Sequence, residues 1–199
     1  SGKIDPDEPF FCQGFLHTPA RYRCYTYRHY GYGHGDITLR EAIAQSCNVY
    51  FYQAGLTMGE DEMIYWADKF GFGKPTGIEL PGEASGNLPR PGRLTPTSRD
   101  NWHQSETLGL AIGQSRLTVT PLQIASMMTT IANGGYLLPP TIVQRTGQFG
   151  TLDKRESISR QPRRMAGLEE TTIQRVKEGL ERVVNWPRGT GYKRVRLSS

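Results

Sequence analysis

Four side chains in the first quarter of the sequence have the chemistry of soft-metal ligands: Cys12, Cys24, His34 and Cys47, spaced Cys-x11-Cys-x9-His-x12-Cys. Thiolates and imidazole are preferred zinc donors, and a tetrahedral Cys3His set uses all four groups. Such a structural zinc would staple the irregular residues 1–35 onto the element that carries Cys47. The spacings are not of the Cys-x2-Cys kind found in zinc ribbons, so unpaired thiols stand as an alternative. Cys47 is also the centre of Ser46-Cys47-Asn48. A serine hydroxyl both donates and accepts a hydrogen bond, and two residues on the asparagine carboxamide offers a donor and an acceptor. Alone, the tripeptide is more simply a turn or capping group between helices. His17, His29 and His103 have no partner signature and read as surface or loop residues.

The elements that must position these groups can be read from caps and periodicity. Residues 1–35 are rich in Pro, Gly, Tyr and His, show no sustained period, and read as loop. Within them Tyr22, Tyr25, Tyr27, Tyr30 and Tyr32 are interleaved with Arg21, Arg23 and Arg28. This is read as a tyrosine-rich ordered loop, with nucleic-acid stacking as the alternative. Thr38-Leu39-Arg40-Glu41 is a capping box, and Leu39, Ala42 and Ile43 begin a helical apolar face leading into Ser46. Helices are expected from Val49 to Met58 and from Glu60 to Phe70, the second acidic in its first turn and closed by Gly71. Gly71 to Gly92 reads as an ordered connector, and residues 93–107 as a polar loop. Thr120-Pro121-Leu122-Gln123 opens a helix whose Ile124, Met127, Met128 and Ile131 are expected to face inward. It stops at Gly134-Gly135, ahead of short strands at Tyr136–Leu138 and Thr141–Val143, and a long final helix runs from Leu168 to Trp186.

No apolar run approaches the roughly 18 residues that a membrane-spanning helix needs. The first residue is Ser1, with no basic-then-apolar leader, and the N-terminus is read as a cut, any targeting segment lying upstream. The net charge of +5 is unevenly spread: residues 154–199 hold 12 Lys/Arg against 5 Asp/Glu, and residues 1–153 hold 12 against 14. A basic end can attract anions, but its commoner meaning is a solvated helix face.

A string of segments, in order, resembles the penicillin-binding transpeptidases, specifically class B penicillin-binding proteins of the elongation type, the penicillin-binding protein 2 group. They are Ala42-Ile43-Ala44-Gln45-Ser46-Cys47-Asn48-Val49-Tyr50-Phe51-Tyr52, Phe70-Gly71-Phe72-Gly73, Thr76-Gly77-Ile78-Glu79-Leu80-Pro81-Gly82-Glu83, Ala111-Ile112-Gly113-Gln114, Thr120-Pro121-Leu122-Gln123 and Ile131-Ala132-Asn133-Gly134-Gly135. They span residues 36–143, and Asn185 to Gly191 extends the likeness. Each segment alone is weak; the order and spacing are specific.

The resemblance implies an α+β, β-lactamase-like fold with an antiparallel sheet beside a helical lobe, this chain supplying mainly the helical lobe with a few short strands. It implies a partial transpeptidase domain over 1–199, divided into a loop at 1–35, the helical lobe at 36–143, and a basic segment with a long helix at 144–199. Three catalytic motifs belong to such enzymes: Ser-x-x-Lys, Ser-x-Asn and Lys-Thr/Ser-Gly. Only Ser46-Cys47-Asn48 is present, which makes Ser46 and Asn48 the catalytic candidates. Gly189-Thr190-Gly191 follows Arg188 and not a lysine, so it is a decoy for the third motif. The nucleophile is expected before Ser1 and the strand motif beyond Ser199, and these 199 residues alone are expected to be inactive.

The resemblance further implies a peptidoglycan D,D-transpeptidase working through a serine acyl-enzyme and binding β-lactams. Its partners would be stem peptides and a membrane-embedded glycosyltransferase, with no nucleic acid, and its location the periplasmic face of the inner membrane. In that compartment a Cys12–Cys24 disulfide with Cys47 buried competes with zinc. A non-catalytic penicillin-recognising or scaffold domain is the alternative function, and a zinc-stapled anion-binding module a third. One departure stands out: Ser115 occupies a position where the family usually has glycine, which predicts a backbone conformation serine meets only at a cost.

Overall fold

A computed structural model describes residues 2–91, 102–142, 145–146, 156–157 and 161–195. In chain order the elements are β1 (Phe10–Cys12), α1 (Tyr25–Tyr30), β2 (Gly35–Ile37), α2 (Leu39–Gln45), α3 (Asn48–Met58), α4 (Glu60–Lys69), α5 (Gln104–Ala111) and α6 (Pro121–Ala132). They continue with β3 (Tyr136–Leu137), β4 (Arg145–Thr146), β5 (Glu156–Ser157), β6 (Arg163–Arg164), α7 (Glu170–Asn185) and α8 (Tyr192–Val195). The described residues are thus mainly helical, with three two-stranded antiparallel pairs, β1–β2, β3–β6 and β4–β5. This is the helical-lobe composition expected of the chain.

The caps read from the sequence work as written. At the start of α2 the Thr38 N–H donates to Glu41 Oε2 at 3.0 Å. At the start of α6 the Gln123 N–H donates to Thr120 Oγ1 at 3.2 Å while Gln123 Oε1 accepts from the Thr120 N–H at 2.8 Å, and Pro121 needs no partner for a missing donor. Gln123 does more than cap. It is 1% exposed, and its Nε2 donates to Lys74 O at 2.7 Å and Ser85 O at 2.8 Å, stapling the 71–85 connector onto α6.

Four readings change. Residues 1–35 are not all loop: β1 and α1 lie within them, too short to leave a period in the sequence. The expected polar loop 93–107 contains the start of α5 at Gln104; its residues 93–101 lie outside the described ones. On α6 the buried side chains are Gln123 and Thr130, while Ile124 and Met128 are 38% and 39% exposed. Met127 and Ile131 are half-buried, so only part of the expected apolar face points inward, and a polar side chain that satisfies buried backbone carbonyls takes the fully buried place. Thr141 and Ile142 are not in a strand, and Val143 lies outside the described residues.

The principal core gathers Cys12, Cys24, Ile37, Ala42, Cys47, Val49, Tyr50 and Ala54, with Phe10, Tyr27, Leu39 and Phe51 against it. A second cluster holds Ile64, Leu88 and Leu110. Helix α7 lies along α2, and Gly179 is what lets it: a Cβ there would sit 2.9 Å from Ile43 Cδ1. Two of the three basic residues of α7 are spent on the fold. Arg175 pairs with Asp7 at 2.7 Å, and Lys177 Nζ donates to Ala132 O at the end of α6 at 2.7 Å. Ser115 has φ 72°, so of the two reasons for a glycine there, a positive φ or close packing, serine meets the first, and its hydroxyl is hydrogen-bonded to Glu106. That bond, with Arg116 after it, holds the Glu106 carboxyl below its usual range.

Candidate functional site: the α2–α3 junction and its thiol cluster

Helix α2 ends in a Schellman arrangement. The Cys47 N–H donates to Ala42 O at 3.0 Å and the Ser46 N–H to Ile43 O at 3.3 Å, with Ser46 in the left-handed conformation at φ 53°, ψ 51°. Glycine is the usual occupant of that position, because a Cβ there costs about 1–2 kcal/mol. Serine in its place means that the hydroxyl is kept despite the backbone, a pattern found at functional sites. The reversal at Ser46 also sends successive side chains to opposite sides. Ser46 is exposed, Cys47 is fully buried, and Asn48, the first residue of α3, is half-buried. No described residue hydrogen-bonds the Ser46 hydroxyl. Asn48 Nδ2 donates to the backbone oxygen of Arg23 at 3.4 Å, and no described residue donates to its Oδ1.

Arg23 precedes Cys24, and Cys24 leads into the buried thiol cluster. Cys12 ends β1, Cys24 caps α1, and His34 precedes β2, so antiparallel pairing of the two strands with α1 between them converges the three groups. Gly33 permits this crossing, since a Cβ there would lie 2.0 Å from Cys12 O. Cys12 Sγ is 3.9 Å from Cys24 Sγ and 3.5 Å from His34 Nδ1, and one ligand atom from each of the three lies within 4.8 Å of the others. His34 Nε2 is hydrogen-bonded to Thr26 Oγ1 at 2.8 Å, so Nδ1 is the nitrogen turned to the sulfurs. Cys47 stands beside this group without belonging to it, and the neighbouring Cys12 thiol draws its own thiol towards the thiolate.

The group can hold a metal ion. Tetrahedral zinc with sulfur at about 2.3 Å and nitrogen at about 2.0–2.1 Å sets S···S edges of roughly 3.8 Å and S···N edges of roughly 3.5 Å. The 3.9 and 3.5 Å separations match those edges. The protons of the cluster are strongly perturbed, and a metal would have to displace them. Hydrogen bonds to Cys12 and then Cys24 push His34 up to about 9, and the Cys12 hydrogen bond followed by burial pushes Cys24 up to about 12. Three thiols and an imidazole packed together share protons awkwardly, a tension that a cation relieves. All three cysteines are free.

Of the sequence candidates, Ser46 and Asn48 share the junction, and Cys12, Cys24 and His34 share the cluster, with Cys47 linking the two. Two contributors had no sequence signal. The Arg23 carbonyl is a backbone group, and Thr26 is one threonine among tyrosines. Gly189-Thr190-Gly191 packs behind the site, where the Thr190 N–H donates to Ala44 O at 3.0 Å.

The family profile described as the penicillin binding protein transpeptidase domain matches residues 1–198. Among curated proteins the chain is similar to the peptidoglycan D,D-transpeptidase MrdA of Acinetobacter baumannii, 40% identical over 57% of this chain and 17% of that one. It is also similar to MrdA of Haemophilus influenzae, 35% identical over 81% of this chain and 24% of that one. The chain therefore spans a quarter or less of the length of these relatives. Among solved structures, penicillin-binding protein 2 of Helicobacter pylori matches with a TM-score of 0.80 at 26% identity, over 98% of this chain and 34% of that one. The same protein in complex with MreC matches at 0.79 and 26%, again over 98% and 34%. Penicillin binding protein 3 of Mycobacterium tuberculosis, complexed with ampicillin, matches at 0.73 and 28%, over 94% and 39%. With a profile running nearly from end to end and the Ser-x-Asn junction and fold in agreement, this chain belongs to the penicillin-binding protein transpeptidase family, in its class B, penicillin-binding protein 2 (MrdA) branch.

Proposed function

We propose that this chain is part of a peptidoglycan D,D-transpeptidase, in which Ser46 and Asn48 form one wall of the cleft that cross-links stem peptides through a serine acyl-enzyme. The observation that carries the reading is Ser46 held left-handed and exposed at a position that favours glycine. In that reaction a serine oxygen attacks the carbonyl of the penultimate D-alanine, the C–N bond breaks, and the departing amine needs a proton. Ser46, a hydroxyl that donates as it accepts, relays that proton. Asn48 Oδ1 accepts the substrate amide N–H, and the Nδ2 bond to Arg23 O fixes which side of the carboxamide faces the cleft. The 199 residues contain no Ser-x-x-Lys and no Lys-Thr/Ser-Gly, so on this reading they do not turn over substrate alone.

The same cleft accepts β-lactams as mimics of the acyl donor, which the ampicillin-bound relative supports. Zinc is the metal that the donor set suits, held by Cys12, Cys24 and His34, and Cys47, beside the group but outside it here, would have to move in to be the fourth ligand. It would act as a staple and take no part in the chemistry. The relative solved with MreC supports work within a larger assembly, and the elongation-type resemblance supports a location for that assembly at the periplasmic face of the inner membrane, beside a membrane-embedded glycosyltransferase. Among the described residues no helix is long and apolar enough to cross a membrane.

Covalent labelling of the full-length gene product by a fluorescent penicillin, competed by ampicillin, is the test. An unlabelled, folded protein would refute the reading.

A further inference from the structure

Beside the Ser46–Asn48 junction lies a surface feature that the proton relay and the thiol cluster do not use. Tyr25, Tyr30 and Tyr32 are 58%, 64% and 61% exposed, unusual for residues this large. They form a continuous row with His29. Tyr25 and His29 stack with centroids 3.9 Å apart and planes 23° apart, His29 lies 6.3 Å from Tyr30, and Tyr30 lies 6.0 Å from Tyr32 with planes 28° apart.

The row is held rigid from behind. The Cys24 N–H donates to Gly14 O at 2.9 Å, the Gly31 N–H closes α1 on Tyr27 O at 3.0 Å, and Tyr27, on the inner side of α1, packs edge-on against Phe15 at 5.1 Å. The exposed rings are therefore presented in advance, so a ligand need not order them. Position supplies the second argument. Asn48 bonds the carbonyl of Arg23, two residues before Tyr25, which puts the start of the row no more than about 8 Å along the chain from that contact.

Composition selects the ligand. The row contains no Leu, Ile or Met, the anchors that a helix laid in a groove would use. It offers ring faces with hydroxyl and imidazole rims, flanked by exposed Arg21 and Arg28, which make no ion pair among the described residues. A pyranose has the complementary surface, with a C–H face to lie on a ring and hydroxyls at its edge to bond the rims. We propose that the Tyr25–His29–Tyr30–Tyr32 row is a saccharide platform that seats the amino-sugar strand from which the stem peptide reaches Ser46 and Asn48. This rests on the transpeptidase reading.

The test uses the full-length gene product and two probes, a β-1,4-linked N-acetylglucosamine hexamer and peptide-free glycan strands. Tyr30→Ala and Tyr32→Ala should each weaken binding roughly three- to tenfold, Tyr30→Trp should restore it, and penicillin acylation should be unchanged. In the wild-type protein, bound glycan should protect Tyr25, Tyr30 and Tyr32 from nitration, a readout independent of any variant's folding. The platform is overturned if wild-type protein binds neither probe, if the alanine variants bind as wild type does, or if a single-stranded oligothymidylate displaces the sugar at equal concentration. Absent penicillin labelling with intact, tyrosine-dependent sugar binding would instead sink the transpeptidase reading alone.

Discussion

Replacing Ser46 by alanine and, separately, by glycine divides the residue's backbone role from its hydroxyl. An L-residue in the left-handed region costs about 1–2 kcal/mol, and alanine bears the same burden as serine. Because the hydroxyl is exposed and no described residue bonds it, Ser46→Ala should change folding stability by no more than about 0.5 kcal/mol. Ser46→Gly removes the left-handed penalty but adds roughly 0.5–1 kcal/mol of chain entropy to the unfolded state, so it should be neutral or more stable by up to about 1 kcal/mol. Both variants lose the same relay, and a positioned proton-transfer group contributes about 10²–10⁴ in rate. The two enzymes should therefore differ in denaturation midpoint, with glycine at or above alanine, and agree in a deep loss of cross-linking, measured with a stem-peptide donor and an amine acceptor. A Ser46→Ala enzyme that cross-links at the wild-type rate would refute the relay. A Ser46→Gly protein clearly less stable than Ser46→Ala would refute the backbone account.

Removing the side chain of Gln123 strands the carbonyls of Lys74 and Ser85, so Gln123→Ala should cost about 2–4 kcal/mol in denaturant unfolding, an unusually large effect for a polar residue. Purified full-length protein should carry one zinc per chain, and a chelator should lower its melting midpoint; metal-free protein whose melting ignores the chelator would dismiss the site. Asp68 is held below its usual 3.8, first by Lys74 and then by Arg90. A depressed carboxyl stabilises the fold above the unfolded value, and that contribution is lost as pH falls through the lower folded value. Asp68→Asn should accordingly lose about 0.5–1 kcal/mol at neutral pH and flatten the acid limb of the stability curve below pH 4.

What was legible in the sequence was local chemistry with a fixed offset. Thr38 to Glu41 and Thr120 to Gln123 are three-residue reciprocal caps, so both helix starts could be placed from side chains alone. At Ser115 the motif's glycine left two explanations open, a positive φ or close packing, and the φ of 72° shows that the serine takes up the left-handed backbone itself. The gathering of Cys12, Cys24 and His34 was legible only as donor chemistry, since their convergence depends on a three-residue strand pair whose register no pattern announces. Short elements such as β1 and α1 are set by tertiary contacts and leave little period behind. The α6 error has the same origin. Apolar periodicity pointed Ile124 and Met128 inward, but the unpaired carbonyls of the 71–85 connector had a stronger claim on the inner face, and Gln123 met it.

The thiol cluster and the Ser-x-Asn motif are one construction. Cys47 is fully buried on one side of the backbone, and the left-handed turn at Ser46 is what allows its neighbours to face the other way. Asn48 is steadied from the same source, because the carbonyl it donates to belongs to the residue before Cys24. Cys47 thus joins the motif through the chain, and Cys24 reaches it through the neighbouring Arg23 carbonyl that Asn48 bonds. A perturbation of the cluster should reach Asn48 before Ser46, since only Asn48 has a side-chain bond to the loop that the cluster holds. Cys24→Ser should therefore raise the apparent KM for a stem-peptide donor more than it lowers kcat, whereas Ser46→Ala should lower kcat with little change in KM. Equal changes in both constants for Cys24→Ser would mean that the cluster supports the fold and nothing more.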